Sequence, residues 1–517
     1  MRQIIHIFKK DVRRHWPEIL IGLILLGLYV RITIRGVEDR FTGYSFPLLL
    51  FSERSIPVLM IFFWIFLSVR LVQGEAPVGN RQWWVTKPYE WWMLLAAKEL
   101  FLLAFIGLPL FCVQLFLLHH AGFPIFLNVR GVLNMQLGLA LALFLPSAAL
   151  GSLTKNLGQA VIGVVIVFAG LWASFTLIER IPSSGMSFAV EGSGEIVSLV
   201  LLAGVIGSLG WQYARRRTWA SRGLLLAAVV LVLLLAVLTP YAKFVERQYP
   251  LIQASDTPAH LSAGTIDPAG KKKFQEFDFM PEVVLSIPIR VSAITPGHVV
   301  LVHGILVKVQ TADGLTFSSG WKPQWIPLWS EDDQKVVRYE LKREEYKRTK
   351  SQHVALLLEL ALTEYKETEA RDLVLGGAEF TDQRLGICHL SPTERSQIAC
   401  RRPFGQPGLI ASFDPAQSRC DAWDDENQLP EDKVTHYWSA PSDGDSPDPG
   451  LNPVDEYQIS FGPRMWLGRS AEYTKTKPKV VHLCPGARVR LAKPEQVREV
   501  RTRMQFTDVR LEDLADN

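Results

Sequence analysis

The sequence predicts a polytopic α-helical membrane domain of about seven transmembrane helices followed by a mostly-β soluble C-terminal domain. Two observations predict it: residues 1–242 hold long uncharged apolar runs, and residues 243–517 mix Pro, Gly, Lys, Glu and Asp with apolar-polar alternation of period two. The averages over the 517 residues, 48% hydrophobic with a mean hydropathy of +0.15, conceal this division. The expected organisation is an interfacial amphipathic helix over 1–15, a transmembrane domain over 16–242, a juxtamembrane stalk over 243–280 and an extracytoplasmic β-rich domain over 281–517.

Within residues 1–15, Ile4, Ile5, Phe8 and Val12 fall near one helical face and Lys9, Lys10, Arg13 and Arg14 largely on the other. That is the pattern of a helix lying in the membrane interface, although a basic flank to the first span fits the same residues. No small-residue cleavage site follows convincingly, so the segment reads as retained.

A span needs roughly 20 mostly apolar residues. Leu100–Leu118, Gly131–Thr154, Leu157–Leu177, Ile196–Ala214 and Gly223–Pro240 meet this without a charge. Trp16–Ile34 carries Glu18 and Arg31 near its ends, where long side chains reach the interface, and Ser55–Val69 is short. Seven spans result, with six as the alternative. Pro109 and Pro146 are positioned to bend their helices.

Cation placement sets the orientation. With the N-terminus inside, Lys9, Lys10, Arg13, Arg14, Arg70, Arg81, Lys87, Lys98, Lys155, Arg215, Arg216, Arg217 and Arg222 collect on the cytoplasmic side, against Arg31, Arg35 and Arg40 in the first outer segment. An odd span count then puts everything after Tyr241 outside the cytoplasm. Four of the five cysteines, Cys388, Cys400, Cys420 and Cys484, fall in that half. An even number there suits two disulfides; three connectivities are open, Cys388–Cys400 with Cys420–Cys484 being the simplest, and four free thiols remain an alternative. The location expected is a bacterial-type cytoplasmic (inner) membrane.

In the soluble half, Lys243–Phe279 has little periodicity and many turn formers. Val283–Ser292, Val299–Thr311, Val354–Thr363 and Val480–Leu491 alternate and are bounded by Gly or Pro, which predicts strands and a sandwich-like domain. Lys342–Lys350 reads as a solvated face and Ser442–Pro453 as a flexible loop.

The catalytic inventory is thin. No GxxxxGK[ST] phosphate loop occurs; Gly314-Leu-Thr-Phe-Ser-Ser-Gly320-Trp-Lys322 has the wrong spacing. Neither H-E-x-x-H nor G-x-S-x-G is present. His119-His120 reads as interfacial, and Asp421, Asp424, Asp425 and Glu426 lack the glycine and terminal glutamate of a helix-loop-helix calcium site. No metal or catalytic residue is therefore assigned. A formal net charge of +4 gives no field for nucleic acid. Mid-span polar residues are few (Gln114, Asn134, Gln136, Ser147, Gln159, Ser174) and none is ionisable, which argues against a proton-coupled carrier.

The most distinctive stretch is Leu71–Leu100. Four tryptophans, Trp83, Trp84, Trp91 and Trp92, alternate with Arg81, Lys87 and Lys98, as in a segment at a membrane–water boundary. Gln73-Gly74-Glu75, Gly79, Gln82-Trp83-Trp84, Thr86-Lys87-Pro88 and Leu94-Leu95-Ala96-Ala97-Lys98 resemble the first cytoplasmic loop of type-2 ABC transporter permeases. The resemblance covers about thirty residues and extends loosely, by hydropathy layout, over the first 240. It implies that Gln73, Glu75, Gly79, Arg81, Trp83, Trp84, Lys87, Pro88 and Lys98 contact a separate ABC ATPase subunit. It also implies an N-terminal elbow helix, a homodimer or pair of permease subunits in the lipid bilayer, and ATP used only through the partner. The chain departs from the family in its seventh span and large outer domain. The expected function is the membrane subunit of an exporter of a hydrophobic or amphiphilic substrate. The alternative is a polytopic anchor displaying an extracytoplasmic interaction or sensing domain without transport.

Overall fold

The computed structural model describes residues 2–42, 47–74, 90–165, 189–215, 217–238, 241–253, 256–264, 282–292, 294–311, 314, 316–328, 333–374, 380–382, 386–390, 397–403, 409–413, 435–439, 451–460 and 488–515. The chain divides into two compact units, one of Met1–Gly170, Leu199–Leu231 and Ala370–Ala492, the other of Leu171–Ser198, Val232–Glu369 and Lys493–Asn517.

The first unit is built on helices. They are α1 (Arg2–Arg14), α2 (Trp16–Thr42), α3 (Pro47–Gln73), α4 (Trp91–Leu102), α5 (Leu108–His120), α6 (Ile125–Leu139), α7 (Leu145–Leu153) and, through residues 199–231, most of α8 (Ala189–Arg215) and α9 (Thr218–Leu238). Among the described residues six stretches are long and apolar enough to cross a membrane: Trp16–Ile34, Ser55–Gln73, Trp91–His120, Ile125–Leu153, Val197–Arg215 and Thr218–Leu235. Of the span expected at Leu157–Leu177, residues 157–165 are helical and the remainder lies outside the described residues. The fourth span starts earlier than its uncharged run, because Arg130 is accommodated, exposed, within α6.

α1 buries Ile7 and Asp11, and His15 just past its end continues the stripe one turn on, whereas Ile5 is exposed; the buried stripe is rotated from the one the apolar residues alone indicate. The centre of the bundle is an apolar cluster containing Met60, Trp64, Leu67, Phe101, Leu110 and Phe144. Gly151 lets α7 approach α3 closely, since a Cβ there would lie 2.9 Å from the Val69 carbonyl oxygen. Outward-facing Leu20, Ile24, Leu226 and Leu234 on α2 and α9 stay exposed, as lipid-facing positions do.

Two helices change pitch before a proline. Leu103–Gly107 and Ala140–Phe144 are π-helical, with Leu108 N–H bonding to the Leu103 carbonyl and Leu145 N–H to that of Ala140. Pro109 and Pro146 follow at the second position of α5 and α7. A proline removes one donor and crowds the carbonyl a turn back, and the wider hydrogen-bond ladder absorbs that conflict without ending the helix.

The first unit also holds a sheet in the order β12-β9-β8-β7, formed by Phe380–Asp382 (β7), Gly386–Leu390 (β8), Gln397–Pro403 (β9) and Val454–Ser460 (β12). Cys388 and Cys400 are directly paired across β8 and β9 and form a disulfide. Cys420 and Cys484 lie outside the described residues. Leu409–Phe413 (β10) and Thr435–Ser439 (β11) pair with each other, and β10 pairs with Val489–Ala492 at the start of β13 (Arg488–Arg510).

The second unit is sheet-rich. His260–Ala263 (β1), Glu282–Ser292 (β2) and Asp333–Lys342 (β5) form a three-stranded sheet in the order β1-β2-β5. His298–Thr311 (β3) pairs antiparallel with Thr316–Leu328 (β4) on one side and with His353–Val374 (β6) on the other. Their inner faces share a core that includes Leu285, Ile287, Val302, Ile305, Leu358 and Leu360, the outcome expected of period-two alternation. Tyr241–Gln248 (α10) supplies Val245, which with Tyr249 covers Leu306, Trp321 and Ala361. Helix α10 and β1 thus lie in the stretch that shows no periodicity. Arg343–Thr349 is a short helix (α11) whose Tyr346 and Thr349 are buried, so the run Lys342–Lys350 is solvated on one face only. The stretch 480–487 lies outside the described residues.

His303 sits where β3 slips register against both neighbours, between Val302 and Gly304, the signature of a bulge. Burial lowers its pKa to about 4.

Candidate functional site

The candidate site is the end of the bundle where α1, the end of α3 and the start of α4 meet. α4 presents Leu94, Ala97, Lys98, Phe101 and Leu102 along one buried stripe. Lys98 would be an uncompensated charge there, but its Nζ donates to Asp11 Oδ2 of α1 at 2.7 Å, and both side chains are only 2% exposed. Rings a turn away on the same two helices pack together: Phe8 on Phe101 and Phe105, and His15 edge-on to Phe101 at 6.1 Å. Neither charge is tolerable in such surroundings without the other.

Three residues past Asp11, Arg14 donates to the Gly74 carbonyl at 3.1 Å. A cation there complements the exposed carbonyls of a helix C-terminus, and a Cβ at residue 74 would come within 3.0 Å of the Arg14 guanidinium. The glycine leaves that cation its place. Helix α1 therefore holds the chain on both sides of residues 75–89, at Gly74 and at Lys98.

More of this end is tied in. Gln73 Nε2 donates to Thr154 Oγ1 at 2.8 Å, and Arg222 of α9 donates to the Leu153 carbonyl at 2.6 Å. Glu18 takes an ion pair from Arg70 at 3.3 Å. His15 is pushed below its ordinary pKa by burial, opposed by the nearby Glu18 carboxylate. The rim carries Trp91, Trp92 and Trp219, all exposed, with the Arg222 guanidinium over the Trp219 ring, as expected of a membrane–water boundary.

Of the residues expected to contact a partner, Gln73 and Lys98 are therefore placed at one end of the bundle, each bonded to a neighbouring helix. Glu75, Gly79, Arg81, Trp83, Trp84, Lys87 and Pro88 lie outside the described residues. Asp11 and Arg14 as anchors are not legible from the sequence as functional. The signal for Asp11 is present in retrospect, since it is the acid at helical spacing with Ile7 and His15. His119 and His120 are both exposed at the other end of the bundle, His120 stacked on Phe116. The acidic group from Asp421 to Glu426 lies outside the described residues. Among the described residues no cluster of three or more His, Cys, Asp or Glu is arranged to hold a metal ion.

No protein-family model, no curated protein and no solved structure matches this chain.

Proposed function

We propose that the chain is the membrane subunit of a transporter driven by a separate ATPase, as its resemblance to type-2 ABC permeases implies, and that residues 75–89 are where the ATPase engages. One observation supports this most: α1 grips the chain on both sides of that segment, through Arg14 to the Gly74 carbonyl and through Asp11 to Lys98. A push or pull delivered there is shared by α1, α3 and α4 instead of bending one connection. A partner shifts a conformational equilibrium only through contacts that differ between the states, and such a frame turns a local contact into a displacement of three helices. The cargo fitting a bundle poor in charge is a hydrophobic or amphiphilic molecule. Two copies with two ATPases would form the working unit.

The seventh span belongs to this reading. α7 ends beside the start of α9, where Arg222 meets Leu153, and Tyr213, near the end of α8, clusters with Ile7 of α1. Leu199 is fourteen residues earlier in α8, roughly 20 Å along its axis. Residues 157–165 are helical, and the Leu150 side chain of α7 lies 3.3 Å from where a Cβ at Gly163 would stand, as in a helix that turns back along α7. The positive-inside rule would put the grip, with Arg14, Arg70, Lys155, Arg215 and Arg222, in the cytoplasm, and an odd number of crossings would then put the disulfide-bearing segment outside.

The test is affinity purification of the tagged chain from its native membrane in mild detergent. A stoichiometric P-loop ATPase that is lost when Arg81 and Lys87 are both replaced by Glu is expected. Recovery of envelope proteins bound through the C-terminal half, with no ATPase under conditions that preserve known complexes, would overturn this reading in favour of an anchor without transport.

A further inference from the structure

At the end of the bundle opposite α1, a segment from outside the helices enters them. Leu451 is fully buried and belongs to the central apolar cluster that also contains Trp64, Leu110, Leu117 and Phe144. It lies more than two hundred residues beyond α9 in the chain, and arrives from the segment leading into strand β12. Its backbone carbonyl accepts a hydrogen bond from Gln114 Nε2 at 3.1 Å. Gln114 is itself fully buried in α5, its Oε1 takes a hydrogen bond from Gln136 Nε2 of α6 at 2.6 Å, and Met135 Sδ lies 3.4 Å from its amide nitrogen.

We propose that residues 451–454 are a stopper, which closes this end of the helix bundle by seating Leu451 on Gln114 and leaves a passage into the bundle interior when it is withdrawn. Three features point to a closure and not to ordinary packing. First, a buried glutamine in an apolar bundle is costly unless its hydrogen bonds are made, and here an amide donor of Gln114 is satisfied by backbone from outside the helices, so the seat is shaped for an inserted carbonyl with an apolar side chain. Second, the π-helical turns of both helices that carry the glutamines line the same cluster, through Ile106 and Phe144. Such turns interrupt the regular ladder and recur where helices change shape for function. Third, the stopper is mounted on a stiff body. Val454 packs with Leu118, Phe123 and Ile387, β12 pairs with β9 from Val454 to Ser460, and β9 is cross-linked to β8 through Cys400 and Cys388. Gly122, in the α5–α6 turn with φ +86°, leaves the Ile387 side chain 3.1 Å from where a Cβ would stand. A displacement of the disulfide-linked strands would therefore lift Leu451 with them.

The seat indicates what takes the stopper's place: an apolar group bearing a carbonyl acceptor, the chemistry Leu451 itself presents. This closure stands independently of the ATPase partner proposed above, and is testable without one.

The test uses the full chain in lipid nanodiscs, with Cys112 replaced by Ala and a reporter at Leu110→Cys, one helical turn below Gln114. A sulfonated, membrane-impermeant maleimide is added, and modification at residue 110 is followed by peptide mass mapping, with detergent-denatured protein as the full-labelling reference. With Leu451 intact, labelling is expected to be slow; Leu451→Gly is expected to accelerate it at least tenfold, and Leu451→Met to leave it slow. An unchanged rate in Leu451→Gly, with the Cys388–Cys400 bond intact, overturns the proposal. Should Leu451→Gly fail to yield monodisperse protein, Gln114→Met, which keeps the volume and removes the donor to the Leu451 carbonyl, is read in the same assay. Acceleration supports the stopper, and an unchanged rate overturns it.

Discussion

Lys98 Nζ lies 2.7 Å from Asp11 Oδ2, and the two side chains, eighty-seven residues apart in the chain, are almost completely withdrawn from solvent. Removing one member of such a pair takes from the other its buried counter-charge, at about 3–5 kcal/mol. Lys98→Met and Asp11→Asn are each expected to lower the thermal midpoint of the purified protein strongly. The double substitution Asp11→Leu with Lys98→Met should recover most of the loss. Single variants as stable as the parent would mean that the pair is not held in an apolar setting.

The approach of α7 to α3 depends on residue 151. Its Cβ would sit 2.9 Å from one backbone oxygen and 3.1 Å from the Val69 Cα, atoms that cannot rotate away. Gly151→Val is expected to cost about 1–3 kcal/mol and to lower the midpoint. Gly138→Val, where nothing stands within 4 Å of the added carbon, serves as the control in the same unfolding measurement.

His303 gives the second unit a pH dependence of definite sign. Burial brings its pKa in the folded protein to about 4, below the ordinary value of about 6.5. Between those values the unfolded chain binds a proton that the folded chain does not, so this residue makes stability rise with pH across that window and fall as pH drops towards 4. The contribution is on the order of 3 kcal/mol between pH 7 and pH 4. A His303→Gln variant should lose that part of the slope in thermal melts taken from pH 4 to pH 7. An unaltered slope would place the acid sensitivity elsewhere.

The disulfide closes a separation of 12 residues, and restraining the unfolded chain over such a loop is worth about 3 kcal/mol. Replacing both Cys388 and Cys400 by Ser is expected to make the strands around them the first region to yield to limited proteolysis, with the helices intact. Cleavage that starts elsewhere and is indifferent to the substitution would contradict this.

What could be read from the sequence was local. Continuous apolar runs located the helices, and alternation located β2, β3 and the first half of β6, because burial is written there at periods of a few residues. β6 continues past Thr363 to Val374, where Glu364, Lys366, Glu367 and Glu369 hide the pattern; Glu364 is nevertheless buried, paired with His298 at 2.7 Å and Arg498 at 2.6 Å. The same limit applied to the candidate site. Lys98 was legible as part of a boundary segment, but its partner was not, because the spacing of Asp11 with Ile7 and His15 marks an inward-facing acid without saying what it faces eighty-seven residues away. The approach of Leu451 to Gln114 spans a still longer interval and was equally hidden.

The long strand β13 fixes an order of events during biosynthesis. Its first residues complete the pairing of β10 in one unit, and residues beyond them contribute Val500, Met504, Phe506 and Val509 to the core of the other. The two strands beside it, β10 and β6, are both translated before it. A ribosome that has not yet delivered residues 488–510 therefore leaves β10 and β6 each with an open edge, and such edges pair with other chains unless they are covered.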